Sequence, residues 1–188
     1  MPSVFIPQPD GLYLPTAISR SAWGDSLVHG GPPAGLLARA IELDFQRPGW
    51  RLARLTVDLF RPVPVQALRV ATRSVREGRR IHAVEASLFA GETEVTRATA
   101  ILLKESDPPA VLPSSYDPTA AEIPPPATLP ISPLAGTEQT SFVGYHTTVQ
   151  VAWTDGNAAS RNGSRSGWLR FPHPLVEGEP TSDRKSVV

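Results

Sequence analysis

The residues best suited to chemistry form a short run, His29-Gly30-Gly31, which is followed directly by Pro32 and Pro33. Proline is well tolerated in a first helical turn, so the run predicts a helix start. That turn leaves backbone N–H groups unpaired, and they can donate to a carbonyl oxygen that becomes negative during a reaction. Glycine also lets a bound molecule approach the backbone closely. Equally, the glycines could serve only to turn the chain into a buried helix.

Several nearby side chains could assist such a donor. His29 could hydrogen-bond the same carbonyl, although a bond to the strand beneath it is the simpler interpretation. Trp23 could line an apolar tunnel or belong to the core. Asp25 is a weak candidate for a catalytic base, because loop aspartates are mostly solvated or capping residues. For Glu42 we expect a solvated helix face, and for Asp58 a pairing with Arg54 or Arg61.

Neither a metal nor an organic cofactor is expected. His82, His146 and His173 fall on different predicted elements and show no repeated ligand spacing. The chain has no cysteine, which excludes disulfides, thiol catalysis and Cys-type zinc sites. The Lys and Ser/Thr of a phosphate-binding loop do not follow the glycine pair.

The balance of charges bears on which partners the protein can have. Lys+Arg and Asp+Glu both count 18, so we expect neither nucleic acid nor a membrane surface as partner. Arg76, Arg79 and Arg80 cluster at a predicted hairpin turn, where they could meet the phosphates of a ligand or simply be solvated. The first residues lack a signal-peptide pattern and no apolar stretch approaches the roughly 20 residues that span a bilayer. A cytoplasmic location is therefore expected.

One helix must position the glycine run. Ala34, Leu37, Ala38, Ile41 and Phe45 recur at helical spacing and form one apolar stripe. Arg39, Glu42 and Gln46 lie off that stripe. The pattern predicts a helix from about Pro32 to Gln46, which ends before the breaker pair Pro48-Gly49.

Predicted strands precede and follow this helix along the sequence. A short strand is predicted over Leu12 to Ile18, and four follow the helix, over Arg54–Asp58, Leu68–Arg76, Ile81–Phe89 and Thr93–Leu103. Tight turns at Gly78 and Gly91 indicate an antiparallel meander. The fold class is therefore α+β, with an antiparallel sheet that wraps one central helix and buries its stripe. This is the hot-dog architecture, although other folds with a helix on a sheet would suit the pattern.

Prolines divide the chain. Nine of the 21 prolines lie between Lys104 and Gly136, a density that excludes a helix or a central strand and predicts an extended linker. We therefore expect a first domain over residues 1–104, a linker over 105–140, and a further segment from 141.

Three motifs, taken in order, resemble the thioesterase-like superfamily, in particular proteins related to acyl-CoA thioesterase II. They are Trp23 with the helix entry His29–Ala40, the strand end Leu59-Phe60-Arg61-Pro62, and the hairpin Val75–Arg79 with Gly91 after it. The resemblance covers residues 12–104.

The resemblance implies two hot-dog domains in one chain. Thr148–Trp153 and Ser166–Phe171 are similar to the opening strands of the second domain, and the likeness stops after Ser182. Residues 141–182 are therefore expected to be the incomplete start of a second hot-dog, and residues 183–188 a non-native tail. The family's catalytic aspartate, and the Thr and Gln that assist it, are expected on later elements of that domain.

The function implied by the resemblance is hydrolysis of acyl-CoA to free fatty acid and CoA, in fatty acid metabolism. Trp23, His29, Gly30 and Gly31 are the substrate-binding candidates, and the catalytic residues remain unknown apart from the weak candidate Asp25. Little activity is expected of this chain alone. A homo-oligomer formed through the hot-dog sheets is expected. The alternative is a non-catalytic acyl-binding or assembly module, since one fold can host both.

Overall fold

The fold is given by a computed structural model, which describes residues 2–106, 126–133, 142–154 and 167–181. Two α-helices, two short 3₁₀ helices (Ala17–Ser19 and Pro126–Thr128) and eleven strands lie in these ranges. In chain order the α-helices and strands are β1 Phe5–Pro7, β2 Leu12–Pro15, β3 Arg20–Ser21, β4 Gly24–Val28, α1 Gly31–Phe45, β5 Trp50–Asp58, β6 Leu68–Glu77, β7 Ile81–Ala90, β8 Thr93–Lys104, β9 Ile131–Pro133, α2 Tyr145–Thr148, β10 Gln150–Trp153 and β11 Gly167–Arg170.

Helix α1 confirms the predicted helix within one residue at each end. Gln46 is extended and its N–H closes the last turn on the carbonyl of Glu42, so the helix ends before Pro48 as expected. Leu37 and Ile41 of the predicted stripe are fully buried. They pack against β6, β7 and β8, which confirms the predicted packing of helix on sheet.

The main sheet has six strands in the order β1-β2-β6-β7-β8-β5. β6, β7 and β8 form the predicted antiparallel meander, and Gly91 has a φ of +61° in the turn between β7 and β8. Alternate residues of β7, namely Val84, Ala86 and Leu88, face α1 and are buried. β5 forms one edge of the sheet and pairs with β8. The curled sheet around one long helix is the hot-dog fold predicted from the sequence.

The part before α1 is more elaborate than predicted. The strand expected over Leu12 to Ile18 ends at Pro15, and Ala17–Ser19 form a single 3₁₀ turn. Three further strands, β1, β3 and β4, were missed. β1 pairs with β2, and β3 and β4 form a short hairpin that leads directly into α1. These strands are too short to produce a period-two hydrophobic pattern.

Residues near the end of the chain share the core of the hot-dog. Phe171, Leu175 and Val176 are buried in the same hydrophobic cluster as Leu37. The backbone there runs along β1, and the N–H of Phe5 donates to the carbonyl of Leu175 at 2.9 Å. The C-terminal segment, residues 171–179, therefore covers part of the first domain.

The predicted linker lies largely outside the described residues, since 107–125 and 134–141 are not among them. Within its described part, Ile131–Pro133 is a strand that pairs with β10, which in turn pairs with β11. The division at residues 104 and 140 stays a prediction, as does the tail at 183–188.

Candidate functional site

The start of α1 is organised by His29. The N–H of His29 donates to the carbonyl of Ser19 at 2.8 Å, which fixes its backbone on the preceding 3₁₀ turn. Its side chain folds back, so that Nδ1 accepts the N–H of Gly31 at 3.2 Å. Because an N–H can only donate, Nδ1 is the acceptor and the proton of the neutral ring is on Nε2. The imidazole thus caps the helix.

This cap changes which backbone donors are available. The Gly31 N–H is taken by His29, while Pro32 and Pro33 have no N–H. No hydrogen bond of the Gly30 N–H is found among the described residues. Gly30 is also closely packed, since a Cβ built on it would lie 2.8 Å from Leu59 Cδ1. Within the described residues, Gly30 is therefore the residue at the start of α1 whose backbone N–H remains unpaired, at the positive end of the helix dipole.

The His29 ring rests on an aromatic stack that the sequence did not reveal. Tyr145 of α2 lies against it with ring centroids 4.8 Å apart, and Phe171 stacks on Tyr145 at 4.5 Å. Burial, and secondly the charge of His146, lowers the pKa of His29, which favours the neutral form that accepts from Gly31. Burial also raises the pKa of Tyr145. No local pattern could have paired residues so distant in sequence.

A hollow of about 270 Å³ opens beside Gly30. We call it the apolar pocket, because its lining is apolar apart from one arginine. Trp23 is 87% exposed at the hairpin of β3 and β4, and Phe60 is about half exposed on the facing loop. The lining residues are Trp23, Leu27, Val28, Gly30, Leu59, Phe60, Arg61, Pro62 and Val63. Exposed aromatic and aliphatic side chains around a concavity are typical of a binding site for an apolar group.

The structure brings together some of the sequence-predicted residues. Trp23 and Gly30 line the apolar pocket, and His29 and Gly31 form the cap beside it. Asp25 lies exposed on β4 and is not part of the lining. Glu42 is half-buried beyond the second turn of α1.

Asp58 lies near a different arginine from those expected. Its cross-strand neighbour in β8 is Arg97, whose pKa is raised mainly by its hydrogen bond to Glu94 and slightly by the charge of Asp58. No ion pair of Asp58 with Arg54 or Arg61 is found in the described part of the chain. The carboxylate of Asp58 therefore belongs to the charged surface of the sheet.

The arginine cluster lies far from the helix start. Arg79 and Arg80 line a separate hollow with Lys104, at the end of the sheet where Trp50 pairs with Lys104. The helix start lies at the other end, beyond Asp58. Eight strand residues at about 3.3 Å each place the two ends roughly 26 Å apart. These arginines therefore do not contribute to the apolar pocket.

Metal sites and membrane-spanning helices were also searched for among the described residues. No group of three or more His, Asp or Glu residues in this part of the chain could hold a metal ion. No helix there is both long and apolar enough to cross a membrane.

Known proteins share this domain and its fold. Residues 19–103 match the family model described as the acyl-CoA thioesterase N-terminal domain. Residues 19–103 are therefore similar to the N-terminal domain of the acyl-CoA thioesterase family, in agreement with the resemblance noted in the sequence. No curated protein matches the sequence significantly.

Two solved structures show the fold over most of the chain. One is a hot-dog protein of unknown function from Alicyclobacillus acidocaldarius, with a TM-score of 0.63, 21% identity and coverage of 86% of this chain and 56% of that protein. The other is described as a thioesterase II from Thermobifida fusca, with a TM-score of 0.56, 17% identity and coverage of 79% and 51%. The chain thus spans about half the length of each.

Proposed function

We propose that this protein binds acyl thioesters of coenzyme A at the start of α1 and hydrolyses them to a free acid and CoA. The observation that carries the proposal is Gly30, which lines the apolar pocket and whose N–H has no partner among the described residues. The family match to an acyl-CoA thioesterase domain supports the same reaction.

The geometry suggests how the substrate would be held. The acyl chain enters the apolar pocket beside Trp23 and Phe60. The thioester oxygen accepts the N–H of Gly30, which stabilises the negative charge that develops there when water attacks the carbonyl carbon. The carbon–sulfur bond then breaks, and the CoA thiolate leaves and takes up a proton. His29 fixes the helix start and so holds the donor in place.

Hydrolysis also needs a general base that activates the attacking water. No carboxylate is among the described residues that line the apolar pocket, and Asp25 is the nearest candidate in sequence. Absence of a general base typically costs 10²–10⁴-fold in rate. We therefore propose slow turnover for this chain alone, and Asp25→Asn should leave even that rate nearly unchanged.

A second candidate function follows from the same observation. A pocket without a base could bind acyl groups without cleaving them, as an acyl-binding or assembly module does. Binding of decanoyl-CoA with no release of free thiol would support this alternative. Release of thiol above the uncatalysed rate would support the thioesterase.

Two substitutions at one position test the donor. Gly30 has a φ of −63°, which proline can adopt, so Gly30→Pro removes the N–H while Gly30→Ala keeps it. Both add a Cβ that presses on Leu59. We expect Gly30→Pro to lower kcat about 10²–10³-fold below Gly30→Ala. Equal rates for the two variants, with equal Tm, would exclude Gly30 as the donor.

We also propose that two copies associate through β5. On the side away from β8, no strand pairs with β5 in the described part of the chain. Such an edge presents free N–H and carbonyl groups that another strand can pair with. Sedimentation velocity should show a dimer, and a monomer at tens of micromolar would contradict the proposal.

A further inference from the structure

Arg61 is the charged residue of the apolar pocket, and the inference drawn from it rests on the proposed function. It is the one charged residue among the described lining, and it lies at the exposed rim of the pocket. The other lining residues suit an acyl chain and give no reason for a cation there. An arginine at this rim therefore needs an explanation beyond packing.

The local structure holds Arg61 in place while leaving its charge available. Its backbone N–H donates to the carbonyl of Val95 at 3.2 Å, which ties the loop after β5 to β8. Its guanidinium lies over the ring of Phe60, with Cζ 5.8 Å from the ring centroid. None of the ion pairs among the described residues includes Arg61.

Glu94, an acidic group close enough to feel the charge of Arg61, is already neutralised by another arginine. Glu94 binds Arg97 through both carboxylate oxygens, at 2.8 and 2.6 Å. The hydrogen bond from Arg97 is the main cause that lowers the pKa of Glu94 to about 2, and Ser87 and the charge of Arg61 contribute less. Arg61 is thus close enough to sense Glu94 but is free to bind another anion.

We infer that Arg61 binds a phosphate group of the thiol carrier, and so distinguishes coenzyme A from short uncharged thiols. With the carbonyl at Gly30 and the acyl chain in the pocket, the carrier must leave through the rim, where Arg61 lies. A guanidinium binds phosphate through two parallel hydrogen bonds. A charged end on the acyl chain itself would have to be desolvated among apolar side chains, which is costly.

The test is a binding measurement that does not depend on turnover. Calorimetry would give the affinity of CoA and of pantetheine, which lacks the nucleotide phosphates, for the wild type, Arg61→Gln and Arg79→Gln. We expect CoA to bind the wild type roughly tenfold more tightly than pantetheine, as one charge-assisted contact allows. Arg61→Gln should remove that difference and leave pantetheine affinity unchanged. Arg79→Gln, at the far end of the sheet, should behave as the wild type.

Several outcomes would overturn the inference. Equal binding of CoA and pantetheine to the wild type, or no binding of either, would do so. A loss of CoA affinity in Arg79→Gln with none in Arg61→Gln would assign the phosphates to the other cluster. An effect of Arg61→Gln confined to acyl chains that end in a carboxylate would assign Arg61 to the acyl chain.

The inference and the proposed function can fail separately. Hydrolysis of decanoyl-CoA and of its N-acetylcysteamine thioester would be followed by release of thiol. Equal rates of hydrolysis of both substrates by the wild type would support the thioesterase proposal and contradict the proposed role of Arg61. Tight, Arg61-dependent binding of CoA with no thiol release would support the proposed role of Arg61 and contradict the thioesterase proposal.

Discussion

The guanidinium of Arg39 binds the carboxylate of Glu179 and ties the middle of α1 to the C-terminal segment. Nε of Arg39 lies 2.9 Å from each carboxylate oxygen, and a second nitrogen donates to the same group. A further nitrogen donates to the hydroxyl of Tyr13 at 3.0 Å. Arg39 is 8% exposed, although its place off the apolar stripe predicts a solvated residue. The C-terminal segment covers it.

Breaking this pair should destabilise the whole hot-dog. Glu179→Gln removes the charge that compensates Arg39, and loss of one partner of a buried pair costs about 3–5 kcal/mol. Because Glu179 is partly exposed, we expect about 2–3 kcal/mol. Urea denaturation would measure the free energy of unfolding. Glu177→Gln is the matched control, since its side chain is exposed in the same segment, and an equal loss there would contradict the prediction.

The fully buried Leu37 should be essential to the fold. Leu37→Ala leaves a cavity between α1 and the sheet, which costs about 2–5 kcal/mol, and Leu37→Asp should prevent folding. Thermal unfolding followed by circular dichroism would measure both. Leu43→Ala is the control on the same helix, because Leu43 is 63% exposed and should change the free energy of unfolding by less than about 0.5 kcal/mol.

Acid should weaken the cap on α1. The pKa of His29 is lowered in the folded protein by burial and by His146, so folding favours the neutral ring. The stability that this contributes is fully present above pH 6.5 and is lost as the pH falls through the lowered pKa. Protonation would also turn Nδ1 into a donor and break its bond to Gly31.

The free energy of unfolding, measured between pH 8 and pH 5, should therefore fall more in the wild type than in His29→Asn. His146 titrates in both proteins, and burial lowers its pKa as well, so part of the dependence should remain. Identical pH profiles for the two proteins would show that His29 does not contribute.

Trp23 should act on ligand affinity alone. Its side chain is 87% exposed in the free protein, so Trp23→Ala should leave Tm nearly unchanged. If the acyl chain covers the ring, truncation should weaken binding of decanoyl-CoA by roughly tenfold or more, since burial of a large apolar side chain contributes about 1.5–3 kcal/mol. Ile81→Ala, exposed at the far end of the sheet, is the control. Equal affinities for all three proteins would place the acyl chain elsewhere.

The sequence predicted what is encoded locally. The bounds of α1 followed from Pro32 and Pro48, and the meander followed from alternation and from the turn at Gly91. The contacts of Tyr145 with His29 and of Glu179 with Arg39 were not predicted. They join residues more than a hundred positions apart, and nothing in the spacing of either residue specifies its partner.

The same limit applies to the site. Gly30 was correctly placed at a helix start, because glycine and proline signal such a start directly. The hydrogen bond from the Gly31 N–H to the His29 side chain was not predicted. It depends on the rotamer of His29, which composition and spacing do not encode.

The backbone that runs beside β1 gives the sheet two unlike borders. Val4 and Phe5 donate to the carbonyls of Pro174 and Leu175, and Glu177 donates back to Phe5, so this border is occupied. The border formed by β5 has no hydrogen-bonded strand beyond it within the described residues. Growth of a sheet from chain to chain needs two vacant borders on each molecule. Pairing through β5 would therefore close after two copies and would not propagate into a filament.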